Sequence, residues 1–179
     1  LDHVVELGHS PDGVWAVVRT RRGEISVWDG GSGVRLRGFV APGAGPVAVS
    51  PDAKRILAGI DHGTAAALID AETGRTLQRL EVGPGGVASV AFFPDGKSVA
   101  VGTRRGVVRV WHAPESGAAP HDIAVGSATV AALGFASDGR TLLAAGDGAG
   151  AWDAAAGTPG ARWEGVPARL CAVRAAADG

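Results

Sequence analysis

Two arginine pairs, Arg21-Arg22 and Arg104-Arg105, are the side chains of this sequence best suited to recognition. A guanidinium pairs bidentately with carboxylate or phosphate, so either pair could receive an acidic peptide or a phosphate group. The same residues would equally serve as solvated hairpin tips. Trp163 is the aromatic residue best placed to face a partner. The segment Gly146-Asp147-Gly148-Ala149-Gly150 has the composition of a phosphate-cradling loop. Such loops open a helix, whereas strand-like runs flank this one, so a hairpin is expected. The five histidines, His3, His9, His62, His112 and His121, are scattered without metal-ligand spacing near a carboxylate. His9, Ser10 and Asp12 are neighbours on a strand and turn, and cannot converge on one substrate atom. No catalytic, metal-binding or cofactor-binding residue is therefore assigned.

The elements that position these residues follow from a repeat. An aspartate recurs in Ser10-Pro11-Asp12-Gly13, Ser50-Pro51-Asp52-Ala53, Phe93-Pro94-Asp95-Gly96, Ser137-Asp138-Gly139 and Asp178-Gly179, at intervals of 40, 43, 43 and 40 residues. Val27-Trp28-Asp29, Leu68-Ile69-Asp70, Val110-Trp111-His112 and Ala151-Trp152-Asp153 keep the same phase, and each precedes a glycine: Gly33, Gly74, Gly117 or Gly157. Three markers in step across four cycles imply an array of one supersecondary unit. In the third cycle, apolar or β-branched runs at 87–93, 98–103, 107–111 and 122–125 are separated by Pro-, Asp- and Gly-rich turns. The other cycles give strands at 3–10, 14–20, 24–29 and 35–40; at 46–50, 55–60, 65–70 and 76–82; and at 129–136, 141–145, 150–153 and 161–166. A further strand is expected at 169–176. Short connections make each quartet an antiparallel meander. A helix over 71–80 is the competing reading, and Gly74 opposes it. Runs such as 87–93 and 142–145 are apolar at almost every position, as in strands covered on both faces. Four-stranded sheets so covered would stack radially as a β-propeller. The expected units are 1–41, 42–83, 84–126 and 127–167, with the first strand of a fifth in 168–179. Trp28, Trp111 and Trp152, at matching places in the third strands, are expected to pack between sheets.

Composition narrows the function classes. Among 179 residues, 46% are apolar and 29 are glycine, which suits short strands and tight turns. The net charge of −1 gives no field directed at nucleic acid or an acidic membrane surface. Cys171 is the single cysteine, which excludes an internal disulfide, and it reads as a small buried hydrophobe. No apolar stretch reaches the roughly 18 residues of a membrane helix. Leu1 at the start and the absence of methionine fit a piece of a longer protein.

These motifs resemble WD repeats. The likeness rests on Ser10–Gly13 with Val27–Asp29, on Phe93–Gly96 with Val110–His112, and on Ser137–Gly139 with Trp152-Asp153. The second cycle is also similar to the YVTN-type repeat of lactonase-like propellers. The resemblance implies an all-β propeller of four-stranded antiparallel blades: four blades plus one extra strand, as a segment of a larger ring. A head-to-tail dimer closing eight blades and a self-closed four-bladed ring are the alternatives. The family's histidine before the first strand is absent, since Pro84 follows Gly83 and Ser127 follows Gly126. Its hairpin aspartate is replaced by Arg22, His62 and Arg105, and remains only as Asp147. The full His–Asp–Ser/Thr–Trp hydrogen-bond network is therefore not expected, which leaves apolar packing to hold the blades.

The resemblance implies a non-enzymatic scaffold, cytoplasmic and without cofactor, whose rim loops bind protein or peptide partners. Alternation along each meander sets the first and third turns on one rim, and the second turns and inter-unit links on the other. The candidate partner-binding residues are Arg21, Arg22, Arg104, Arg105 and Trp163, the partners being acidic peptides. Neither nucleic acid nor membrane is expected to bind within this segment, and open blade faces offer a route to self-association. The alternative is a lactonase-like or quinoprotein-like enzyme, whose channel would have Glu6, Ser50 and Ser89 as its polar residues.

Overall fold

Turn chemistry divides the chain into hairpins, and the recurrent aspartates supply it. In the computed structural model, which describes residues 3–9, 14–41 and 45–163, Asp95 accepts the N–H groups of Lys97 and Ser98 at 2.8 and 2.9 Å. Asp138 does the same for Arg140 and Thr141. The residue after the aspartate turns left-handed, at φ +65° in Gly96 and +66° in Gly139. The second marker works alike at the other end of each unit. Asp70 takes the N–H of Thr73 at 2.6 Å and its hydroxyl at 2.7 Å, and Asp29 holds Ser32 in the same way. These bonds favour the charged form: the Thr73 hydroxyl first, and then its N–H, hold the Asp70 carboxyl below its ordinary value.

Ala53 occupies the left-handed position of the second cycle at φ +56°. A side chain there costs about 1–2 kcal/mol, against roughly 0.4–1 kcal/mol of added unfolded-chain entropy for glycine. Ala53→Gly is therefore expected to stabilise the chain by about 0.5–1 kcal/mol, read as a higher urea midpoint. An unchanged or lower midpoint would contradict the strain.

Between the turns lie four four-stranded antiparallel sheets, each a meander in simple chain order. The first contains β1 (Val4–His9), β2 (Trp15–Thr20), β3 (Glu24–Asp29) and β4 (Arg35–Val40). The second contains β5 (Val47–Val49), β6 (Arg55–Ile60), β7 (Ala65–Asp70) and β8 (Thr76–Glu81). The third contains β9 (Val87–Phe92), β10 (Val99–Thr103), β11 (Val107–Trp111) and β12 (His121–Ala124). The fourth contains β13 (Ala132–Phe135), β14 (Thr141–Ala145), β15 (Ala149–Asp153) and β16 (Pro159–Trp163). Residues 76–81 are thus strand, not helix. No helix of the described residues is long and apolar enough to cross a membrane.

The sheets are propeller blades, stacked through their inner strands: β5 packs on β1 and β2, β9 on β5 and β6, and β13 on β9 and β10. Each junction has its own apolar cluster. Ile25 and Val27 meet Ile56 and Ile69 at the first, and Leu57 and Leu80 meet Val99 and Trp111 at the second. At the third, Val108 and Val110 meet Leu142 and Trp152. Polar bonds cross as well. The Ser89 hydroxyl donates to the Val130 carbonyl at 2.7 Å, and a guanidinium N–H of Arg109 donates to the Val82 carbonyl at 3.1 Å.

Several expectations need correction. Trp111 and Trp152 do pack between blades, but Trp28 lies on the face of the first blade turned away from the second. Its indole N–H donates to Ser26, which shares that face, at 2.8 Å. Leu7 and Val40 on the same face are each 66% exposed. The strand expected at 129–136 shortens to β13, because Val130 is drawn to the third blade and donates its N–H to the Thr103 carbonyl. β9 is buried on one face only, with Ala88, Val90 and Phe92 half-buried. It is the innermost strand, so its second face lies where the blade is incompletely covered. The middle strands β6, β7, β10 and β14 are buried on both faces, as expected for 142–145. The expected strand at 161–166 begins earlier, at Pro159, because Asp153 N–H already bonds the Thr158 carbonyl. The turn at 10–13, the strand expected at 169–176 and Cys171 lie outside the described residues.

Candidate functional site

The second hairpin of each blade defines one rim, since the four meanders run in the same order and pack inner strand against inner strand. Two of these hairpins read Thr-Arg-Arg-Gly. The Thr103 hydroxyl donates to the Val107 carbonyl at 3.0 Å and accepts the N–H groups of Arg105 and Val107, and Thr20 accepts the N–H of Glu24. Glycine closes each turn at positive φ, +81° in Gly23 and +71° in Gly106. Both arginine pairs are thereby held at exposed tips.

The pairs are not brought together, because the second blade stands between them. Its hairpin carries Asp61, which is ion-paired with Arg79. Arg104 and Arg105 have surroundings that their spacing did not announce. A methyl added to Gly63 would lie 3.4 Å from a terminal nitrogen of Arg104, and one added to Gly86 would lie 2.9 Å from it. The Arg104 guanidinium thus spans toward the second blade over two bare backbones. The stem of Arg105 lies over Gly85, whose added methyl would meet its Cγ at 3.0 Å. Neither guanidinium has an ion-pair partner among the described residues, which leaves both available to an acceptor from outside.

Across the third hairpin lies a cleft of about 450 Å³ between the third and fourth blades. Val125, Gly126 and Ser127 form one wall, Asp147 and Gly148 another, with Trp152, Arg162 and Trp163 completing it. Gly106 abuts this wall, accepting the N–H groups of Val125 and Gly126 through its carbonyl at 2.9 and 3.1 Å. Trp163 ends β16 and is 42% exposed, while Trp152 is 5% exposed. Arg104, Arg105 and Trp163 therefore belong to one stretch of rim, and Arg21 and Arg22 to another.

Asp147 and Ser127 stand where the resemblance would have aspartate and histidine. The Ser127 hydroxyl donates to Asp147 at 2.9 Å. That bond first, then the Ser127 N–H, lowers the Asp147 carboxyl below its ordinary value. The sequence marked both positions but not the bond between them. Arg162, beside them, was missed, because nothing in its spacing marks it.

A second cluster was missed as well. The Ser98 hydroxyl donates to Asp95 at 2.9 Å and lies 3.2 Å from His112 Nδ1, which must then supply the proton of that contact. His112 stacks on His121 with ring centroids 5.3 Å apart, and His121 Nε2–H donates to the Ala154 carbonyl. In acyl-transfer triads the imidazole stands between hydroxyl and carboxylate. Here the hydroxyl stands between them and is buried, so the cluster ties two turns together. The polar residues named for an enzymatic channel do not converge either. Glu6 pairs with Arg19, Ser50 donates to Asp52, and Ser89 donates to Val130. Among the described residues, no group of three or more His, Cys, Asp or Glu side chains is placed to hold a metal ion.

Comparison with known proteins agrees with this architecture. Residues 74–112, from the turn before β8 to the end of the third blade's β11, match the family described as WD domain, G-beta repeat. No curated protein matches the sequence. Among solved structures, Kuenenia stuttgartiensis hydrazine synthase is similar over 90% of this chain and 49% of its own, with 16% identity and a TM-score of 0.76. The chain thus spans about half of that protein, and the likeness is one of fold.

Proposed function

Taking as premise that this chain is a WD-repeat β-propeller, we propose that it is a non-enzymatic interaction platform whose second-hairpin rim binds acidic peptide segments. One observation carries the reading. Arg104 and Arg105 sit exposed at a hairpin tip, extend over Gly63, Gly85 and Gly86, and have no ion-pair partner among the described residues. Two forked donors over bare glycine backbone suit a run of carboxylates, which can approach without meeting side chains. Arg21 and Arg22 stand at the corresponding hairpin tip two blades away, where an extended segment could reach them and one small anion could not. The paired hairpin tips also suit a low-cost, electrostatically steered encounter that salt would weaken.

A fluorescein-labelled glutamate-rich peptide, followed by anisotropy at low ionic strength, tests the proposal. The double variant Arg104→Ala/Arg105→Ala should bind it at least about 10-fold more weakly, and the wild type should weaken steeply with added salt. Equal affinity in the variant, or affinity indifferent to salt, would overturn the rim assignment.

The enzymatic alternative has the likeness to hydrazine synthase as its support, at the level of fold. The partners that Glu6, Ser50 and Ser89 already hold weigh against their acting together on a substrate.

A further inference from the structure

We propose that the cleft between the third and fourth blades receives the C-terminal residue of a partner chain, its carboxylate on Arg162 and an aromatic side chain against Trp163 and Trp152. The inference rests on the reading of this rim as a binding face, and it names a second, chemically distinct subsite on it.

Size and walls argue first. About 450 Å³ suits one large side chain with its terminal carboxylate, within the ordinary range of binding pockets. Two indoles line it, one nearly buried and one 42% exposed. An entering ring would find offset or edge contacts with either. Glycine keeps the mouth open: a methyl added at Gly148 would meet nothing within 4 Å.

The charges decide which end of a ligand enters. Asp147 is already engaged, one carboxylate oxygen taking the Ser127 hydroxyl at 2.9 Å and its N–H at 3.4 Å. Its other oxygen lies against Gly126, only 2.5 Å from where a methyl on that residue would stand. Arg162 is exposed, and among the described residues its guanidinium has no hydrogen bond or ion pair. It lies close enough to Asp147 to favour the charged carboxylate, though without an ion pair to it. Asp147 keeps its charge but turns its oxygens to Ser127 and Gly126, so the free hydrogen-bond donor left to a ligand is the Arg162 guanidinium beside an indole, a pairing that suits a carboxylate attached to an aromatic body.

The full chain has five tryptophans, so its indole N–H signals in a ¹⁵N-labelled sample can be followed individually. The Trp163 signal is identified by its loss in Trp163→Phe. N-acetyl-phenylalanine should move that signal saturably, while N-acetyl-phenylalanine amide should bind at least about 10-fold more weakly, as expected for loss of a charge-assisted hydrogen bond. Acetate alone should leave the signal nearly unmoved. Arg162→Gln should bring the acid down to the amide's affinity with the indole signals of the free protein in place, which verifies its fold. Equal binding of acid and amide, stronger binding of phenethylamine, an acetate response equal to that of the aromatic acid, or no saturable shift with any probe would each overturn the proposal. Arg104→Ala/Arg105→Ala should retain N-acetyl-phenylalanine binding, so failure of the acidic-peptide reading and failure of this one are told apart.

Discussion

Gly106→Ala should cost this chain about 1.5–4 kcal/mol, several times the loss at other glycines of similar backbone angle. Two terms act together. The left-handed φ of +71° penalises a side chain, a net loss of about 0.5–1 kcal/mol once glycine's greater unfolded-chain entropy is offset. The added methyl would also lie 2.1 Å from the carbonyl oxygen of Gly126 and 2.8 Å from the nitrogen of Ser127. Those are backbone atoms of the link to the fourth blade and have no rotamer to yield. The link must lift, and it loosens the two N–H bonds that Gly106 accepts from it, a further roughly 1–3 kcal/mol of misfit. Gly117→Ala and Gly139→Ala are the controls. Their φ values are +74° and +66°, and neither added methyl would have a neighbour within 4 Å, so each should lose only about 0.5–1 kcal/mol, the reverse of the gain at Ala53. Urea midpoints of the three variants, compared at equal slope, give the answer. Three equal losses would mean that the Gly106–Gly126 contact does not fasten the end of the third blade.

Leu142→Ala is expected to be comparably damaging, at about 3–5 kcal/mol. Leu142 has no exposed surface and lies in the cluster with Ala100, Val108, Val110 and Ile123. Truncation of a buried leucine costs about 2–5 kcal/mol, the upper part applying where surroundings cannot collapse into the space. Here Ala100, Ala144 and Ala154 flank the site and have no rotamers with which to fill it. Leu77→Ala is the comparison: 43% of Leu77 is exposed, so its loss should stay near 1 kcal/mol or less. Chemical denaturation followed by tryptophan fluorescence would separate the two, and a loss at Leu142 no greater than at Leu77 would contradict the cluster.

What could be read from the sequence was the part governed by local chemistry. Asp95, Asp138, Asp70 and Asp29 bond to N–H groups two or three residues on, so their period declared the hairpins and, through them, the blades. The tips carrying the arginine pairs were legible for the same reason. What those arginines lie upon was not, since Gly63, Gly85 and Gly86 approach Arg104 and Arg105 only after two blades have packed. The stacking of His112 on His121 likewise depends on strands β11 and β12 pairing in register, and the sequence offers only two histidines nine positions apart. Trp28 shows the limit of periodic reasoning. It keeps the phase of Trp111 and Trp152, yet it lies on a face that no sheet among the described residues covers. The shortened β13 is a case of tertiary bonding overriding local preference, with Val130 held by Thr103 and Ser89 of the neighbouring sheet.

Among the described residues, each of the three junctions has its own apolar compartment, completed by the two sheets that touch there, and a small fourth cluster of Ala132, Ala145 and Ala149 lies within the last sheet. Nearest-neighbour energetics of that sort let a mutation be tolerated or punished within a single seam, without repercussion two seams away. Such a chain can gain, lose or exchange a quartet of strands as a cassette, provided the newcomer presents compatible flanks. The hairpin tips can then vary without disturbing the seams beneath them.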